Sequence, residues 1–295
     1  METVRKRTHI RGVRWLLSSV GLLAAFSVAS PAQGSVTIGH VLGTGTPAPL
    51  FCFPTCTLRQ ASLAPEDGLS TAGLTSPTNG VVTSFGISVV AANQDGNLTF
   101  RLRVLRGQTG AASSDPLTLV DADGVQTFAT ELPIVAGDGI GIDTLPIAPP
   151  GGIGIGRATA AGNSVLELFS PPLLDGGAQQ SPQASTGGVL DINAVIEPTN
   201  TFAFGKVAGN KSNGTTTVSV TVPNAGALVV GGKGVKRASK SVTAPGVVKL
   251  KIGAKGKKLR TLNETGKVKV AAKVTFTPTG GDSKARSKQL SLNKR

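Results

Sequence analysis

A chain of 295 residues with net charge +14 is long enough for one large or two ordinary domains, and its basic balance favours acidic partners. It contains one Trp, which falls in the first fifteen residues, and no Tyr, so it is poor in the rings on which sugar platforms and single-stranded nucleic-acid grooves stack their ligands. No motif amounts to a catalytic or cofactor signature, no cofactor is expected, and compartment, architecture and surface are what the residues specify.

Arg5, Lys6, Arg7, Arg11 and Arg14 form a basic leader, followed by an apolar run from Trp15 to Ala29 and small residues up to Gly34. That order reads as a signal peptide over 1–34, cut after Ala32 or Gly34, with the product secreted. The run is shorter than the ~20 residues of a membrane span, and no transmembrane segment is expected in the mature chain. No Cys stands at the cleavage region for lipid attachment. Loss of 1–34 removes the only Trp and Met and leaves His40 as the single imidazole.

Charge then divides the chain. Residues 35–204 carry net −8 and residues 205–295 carry net +18, with only Glu264 and Asp282 as acids in the basic part. Ile196 to Thr201 has the Pro and polar residues of a short junction, which predicts domains over 35–197 and 201–295.

In the acidic part, 35–42 reads as a strand with His40 on the parity of Val36 and Ile38, which predicts a packed or edge histidine rather than a general base. Cys52 and Cys56 are the only thiols, and in an exported chain they read as a small disulfide-closed loop. A metal there would need two more ligands, and a thioredoxin-like pair would have two intervening residues instead of three. Ser84 to Val90 and Leu98 to Val104 alternate, with Phe85, Ile87, Val89, Phe100, Leu102 and Val104 inward and Arg101 and Arg103 solvated. Asp95-Gly96 between them predicts a hairpin turn.

Asp121-Ala-Asp-Gly124 resembles the start of a calcium loop, but Val125, Thr127 and Leu132 occupy the remaining ligand positions, so a turn is expected. Weaker strands fall at 125–134, 139–143, 153–158 and 164–170. Asp138 and Asp143 flank a glycine-rich turn; paired carboxylates could serve hydrolysis if they converged. Gly152-Ile-Gly-Ile-Gly156 lacks the spacing and the following helix of a dinucleotide fingerprint. Pro171 to Gly188 reads as a long surface loop, and Leu190, Ile192, Ala194 and Ile196 as the inner face of a last strand. Eight to ten short strands and no capped helical period predict an antiparallel, jelly-roll-like sandwich.

The basic part alternates more cleanly. Val218, Val220 and Val222, then Val248, Leu250 and Ile252, then Val268, Val270, Val274 and Phe276 take inner positions. Lys249, Lys251, Lys267, Lys269 and Lys273 take outer ones. Turns are expected at 223–226, 245–246, 263–266 and 278–281, giving about seven strands, the size of an immunoglobulin-like sandwich. No substantial helix is expected outside the leader.

The run 210–295, with Gly-Thr-Thr-Thr-Val-Ser-Val-Thr-Val-Pro at 214–223, Gly232-Lys-Gly-Val235 and Thr275-Phe-Thr-Pro-Thr-Gly-Gly281, resembles a C-terminal module of uncharacterised secreted actinobacterial proteins. The resemblance implies a bacterial, extracellular, immunoglobulin-like accessory domain without a known activity. Val135 to Gly141 is more loosely similar to the partners that precede this module.

Together these features predict a non-catalytic cell-surface or matrix protein, associated with the cell wall through its basic module. If their strands share a sheet, Lys249, Lys251, Lys267, Lys269 and Lys273 form one patch that binds anionic envelope polymers. The alternative is an extracellular polysaccharide-binding or polysaccharide-degrading protein, with only Phe available for stacking. Specific nucleic-acid binding is not expected of an exported chain.

Overall fold

Alternation with period two leaves this chain little to form but strands. The computed structural model describes residues 34–43, 48–49, 55–89, 98–120, 122–144, 154–157 and 163–295, and over them the protein is all-β with one α-helix. Residues 1–33 of the leader, Cys52, the 93–97 segment, Asp121 and Gly152 lie outside the described residues.

The acidic part contributes β1 (Val36–Gly39), β2 (Ala48–Pro49), β3 (Cys56–Ser62), a 3-10 turn (Pro65–Asp67), β4 (Gly80–Val89), β5 (Leu98–Arg106) and β6 (Thr109–Ser113). It continues through β7 (Leu117–Leu119), β8 (Gly124–Ile134), β9 (Gly139–Thr144), β10 (Gly154–Arg157), β11 (Val165–Phe169), β12 (Ala184–Gly187), β13 (Val189–Leu190) and β14 (Ile192–Pro198). One sheet has the order β1-β14-β4-β8, a second β12-β11-β3-β9-β5-β6 with β7 also on β5, and a small third β13-β10-β2.

The inner faces of the two large sheets share one buried cluster. Phe85 and Ile87 of β4 meet Phe100, Leu102 and Val104 of β5 and Ile142 of β9, all fully buried. Each such side chain stabilises the fold by roughly 1.5–3 kcal/mol relative to exposure. Phe100 also meets Phe128 edge-on, with ring centroids 5.2 Å apart.

Two expectations are corrected here. β4 and β5 do not form a hairpin: β4 pairs with β14 and β8, while β5 pairs with β6, β7 and β9. A turn signal does not specify which strands pair, and β4 and β5 belong to different sheets. The segment 171–188 is also more than a surface loop. It buries Leu173 against Leu105 and Phe169, and it adds β12 beside β11.

The basic part comprises β15 (Ala203–Asn210), β16 (Thr215–Val222), β17 (Gly226–Gly231), β18 (Ala238–Val242), β19 (Gly246–Ile252), α1 (Lys257–Thr265), β20 (Lys267–Pro278) and β21 (Lys284–Asn293). Its sheets have the orders β15-β16-β19 and β18-β17-β20-β21. Val218, Val220 and Ile252 from the first join Val230, Val274 and Phe276 from the second in a buried cluster. That cluster shares no residue with the one in the acidic part.

The nine-residue α1 is a third correction, because no helix was expected here and 263–266 reads as a turn. Leu262 is its one buried residue, and Gly266 closes it at φ 69° with its N–H on the Leu262 carbonyl. Leu262 also explains a glycine: a Cβ on Gly214, at φ 66°, would lie 2.7 Å from Leu262 Cδ2.

Where the two parts meet, Asn79 and Asn224 hold each other. The Asn79 backbone N–H donates to Asn224 Oδ1 at 2.8 Å, and Asn224 Nδ2 donates to the carbonyls of Asn79 and Thr199 at 2.9 and 2.8 Å. Asn79 Nδ2 donates to the Pro223 carbonyl at 2.7 Å, and Asn79 Oδ1 accepts the Ala136 N–H at 3.0 Å.

Candidate functional site

Strand parity sends Lys249 and Lys251 of β19 and Lys267, Lys269 and Lys273 of β20 to the surface, and all five are exposed. Sheet membership separates them. β19 is an edge of β15-β16-β19, whereas β20 lies inside β18-β17-β20-β21. Both strands bury their valines in the same cluster, so their lysines point away from each other on opposite outer faces. The expected single five-lysine patch is therefore two groups, one of two and one of three.

The β20 face is the richer. Lys267, Lys269 and Lys273 stand opposite Asn293, Ser291 and Ser287 of β21, and neither Glu264 nor Asp282 lies within the four strands of this sheet. At the Lys273 end the surface sinks into a hollow of about 280 Å³ lined by Arg237, Lys255, Lys273, Thr275 and the backbone of Gly231 and Gly232. Gly232 keeps that floor low: at φ 130°, a Cβ there would sit 2.5 Å from the Ala271 carbonyl oxygen. Arg237 and Lys255 were not singled out in the sequence, because they lie between strands where parity carries no signal.

Other cations of this part are engaged. Arg286 donates to the Phe202 carbonyl at 2.6 Å and lies 6.0 and 5.8 Å from the Phe202 and Phe204 ring centroids, while Lys288 is 5.3 Å from Phe204. These cation–π contacts occupy the inner side of β21, away from the lysine row.

In the acidic part, Asp138 and Asp143 are each bound by an arginine instead of forming a reactive pair. Arg106 Nε and Nη2 donate to the two Asp138 oxygens at 2.9 and 3.0 Å, and hydrogen bonding to Asp138 raises the Arg106 pKa. Arg103 donates to Asp143, and its other amino group reaches Asp175 Oδ1 at 2.7 Å. Thr57 Oγ1 donates to Asp143 Oδ1 at 2.5 Å. Burial raises the Asp143 pKa, against the opposing pull of Thr57 and Arg103. Arg103, expected in solvent, is buried because the segment around Leu173 and Asp175 covers its face.

His40 is buried as expected, with Nδ1 2.8 Å from Asp191 Oδ1 and both side chains within 1 % of full burial. Cys56 opens β3 fully buried, its Sγ 3.9 Å from Thr144 Oγ1; Cys52 lies outside the described residues. Gly154 and Gly156 belong to a strand, β10, paired with β13 and β2. Among the described residues no cluster of His, Cys, Asp and Glu could hold a metal ion, and no helix is long and apolar enough to cross a membrane.

No protein-family model matches the chain, and no curated protein sequence matches it.

Proposed function

We propose that this chain is a non-catalytic, secreted surface or matrix protein whose basic C-terminal part docks onto anionic envelope polymers. In this reading, 1–34 is a cleaved signal peptide and Cys52 is bonded to Cys56. The acidic part is a jelly-roll-like sandwich. The basic part is an immunoglobulin-like one, an assignment supported by three strands packed through one core against four. In the same reading, 210–295 is a module of the kind that secreted actinobacterial proteins carry at their C-terminus.

The observation that carries the proposal is the acid-free β20 face, with three lysines in a row leading to the Arg237–Lys255–Lys273 hollow. Cations held a strand's pitch apart match a linear polymer of repeating negative charge, and the flanking Ser and Asn supply neutral donors. Solvation of an exported β-protein is a rival use for such lysines, and the two uses differ in salt response.

The test is binding of the full secreted chain to teichoic acid, heparin and DNA across a salt series. Docking predicts that log affinity falls with log salt by about 0.7–0.9 per contact on a nucleic-acid-like polymer. The K267Q/K269Q/K273Q triple variant should flatten that slope by two to three contacts' worth, and K249Q/K251Q should leave it nearly unchanged. No binding at low salt, or equal effects from the two variants, would reduce the lysines to a solubility device.

A further inference from the structure

The outer face of the β1-β14-β4-β8 sheet holds a second concavity, of about 460 Å³, within the range of small-ligand clefts. Two successive rungs of the sheet form its floor. One runs from Thr37 through Val195 to Ser84, the next from Gly39 through Asn193 and Gly86 to Thr127. Leu42, from the segment after β1, overhangs Gly86, where a Cβ would lie 2.6 Å from its Cδ1 and 2.7 Å from Asn193 Oδ1. Val41, Thr71 and Val125 complete the walls.

Five polar side chains here are open to solvent or half-buried, and free to meet a ligand. Among the described residues, the side chains of Thr37, Thr71, Ser84, Thr127 and Asn193 make no hydrogen bond to protein, although all five line the groove. Among the described residues that line it there is no Lys, Arg, Asp or Glu. The ionisable group among those residues is His40, held against Asp191.

We infer that this groove binds a neutral polyhydroxylated chain, an uncharged oligosaccharide. Four hydroxyls and a carboxamide offer both donors and acceptors to sugar hydroxyls, and Val41, Leu42, Val125 and Val195 can cover a C–H face. An anionic polymer would find no cation here. An extended peptide would need free backbone groups, and on this face β14 and β4 each spend theirs on two neighbouring strands. The groove lies within 34–197 and is independent of the lysine row, so either assignment can fail alone.

The experiment titrates the full chain with cellohexaose, xylohexaose, laminarihexaose and chitohexaose, each up to about 10 mM, by calorimetry and ligand-observed NMR. Binding of at least one is expected, with T127V and N193A each weakening it about three- to ten-fold and heparin binding untouched. Thr127 is exposed on β8 and valine is its isostere, so T127V tests the groove even if N193A were to lower stability. If none of the four binds, the inference is overturned. It is equally overturned if both folded variants bind as the parent does, or if a heparin hexasaccharide displaces the neutral glycan.

Discussion

Burial holds the Asp143 carboxyl above the ordinary aspartate value even with Thr57 and Arg103 hydrogen-bonded to it. A carboxyl whose folded pKa exceeds its unfolded one binds more protons in the native state between the two values. Its stabilising contribution is therefore complete below about pH 3.9 and is lost as pH rises through the folded value. D143N keeps an acceptor for Thr57 but cannot ionise. It should remove that falling segment from a plot of denaturant midpoint against pH, and an unaltered segment would assign it to another group. R103M, by contrast, leaves Asp143 and Asp175 without their cation and should cost about 3–5 kcal/mol at neutral pH. At the start of β3, thiol titration of denatured, non-reduced protein should find neither Cys52 nor Cys56 reactive. Two titratable thiols would remove the bridge, along with the roughly 1–3 kcal/mol such a short loop contributes.

Helix α1 rests on one buried side chain. L262A should cost about 2–4 kcal/mol and release the Gly214 turn that packs beneath it, measured as a fall in denaturant midpoint; a change within 0.5 kcal/mol, about the usual surface effect, would show α1 to be peripheral. That helix was not legible in the sequence, because nine residues with one buried position leave no apolar stripe to detect. The strands were legible, since burial on a sheet repeats every two residues: Phe85 and Ile87, like Val268 and Val270, sit where parity puts them. Parity also predicted correctly that the five lysines point outward. It could not tell which sheet each strand joins, because strand order is decided by partners distant in sequence, and so one patch became two. Arg103 escaped for the same reason, since the segment that covers it lies some seventy residues further on. The groove of Thr37, Ser84, Thr127 and Asn193 draws on four strands, and none of those residues is remarkable in its own neighbourhood.

Across the whole molecule, the two cores share no residue, and the Asn79–Asn224 pair joins the parts that contain them. N224A should strand the Asn79 N–H and the Thr199 carbonyl, while the Asn79 carbonyl keeps the Thr199 N–H, at a cost of about 2–4 kcal/mol for these part-buried groups. The readout is faster proteolysis between 198 and 202, and an unchanged cleavage rate would place the joint elsewhere. The other approaches there are few: the Gly34 N–H donates to Asp282 Oδ1 at 3.2 Å, Gly34 and Pro198 lie against Gly281, and Val36 lies against Gly280. Denaturant slopes and heat capacities scale with the apolar surface that unfolding exposes. A joint made chiefly of amide hydrogen bonds therefore contributes almost nothing to either. The parts could separate and close again beneath a single smooth unfolding curve. Amide exchange is the measurement that would see it, because the N–H groups of Asn79 and Thr199 are held by the clasp. They should exchange well ahead of the strand amides on either side of them.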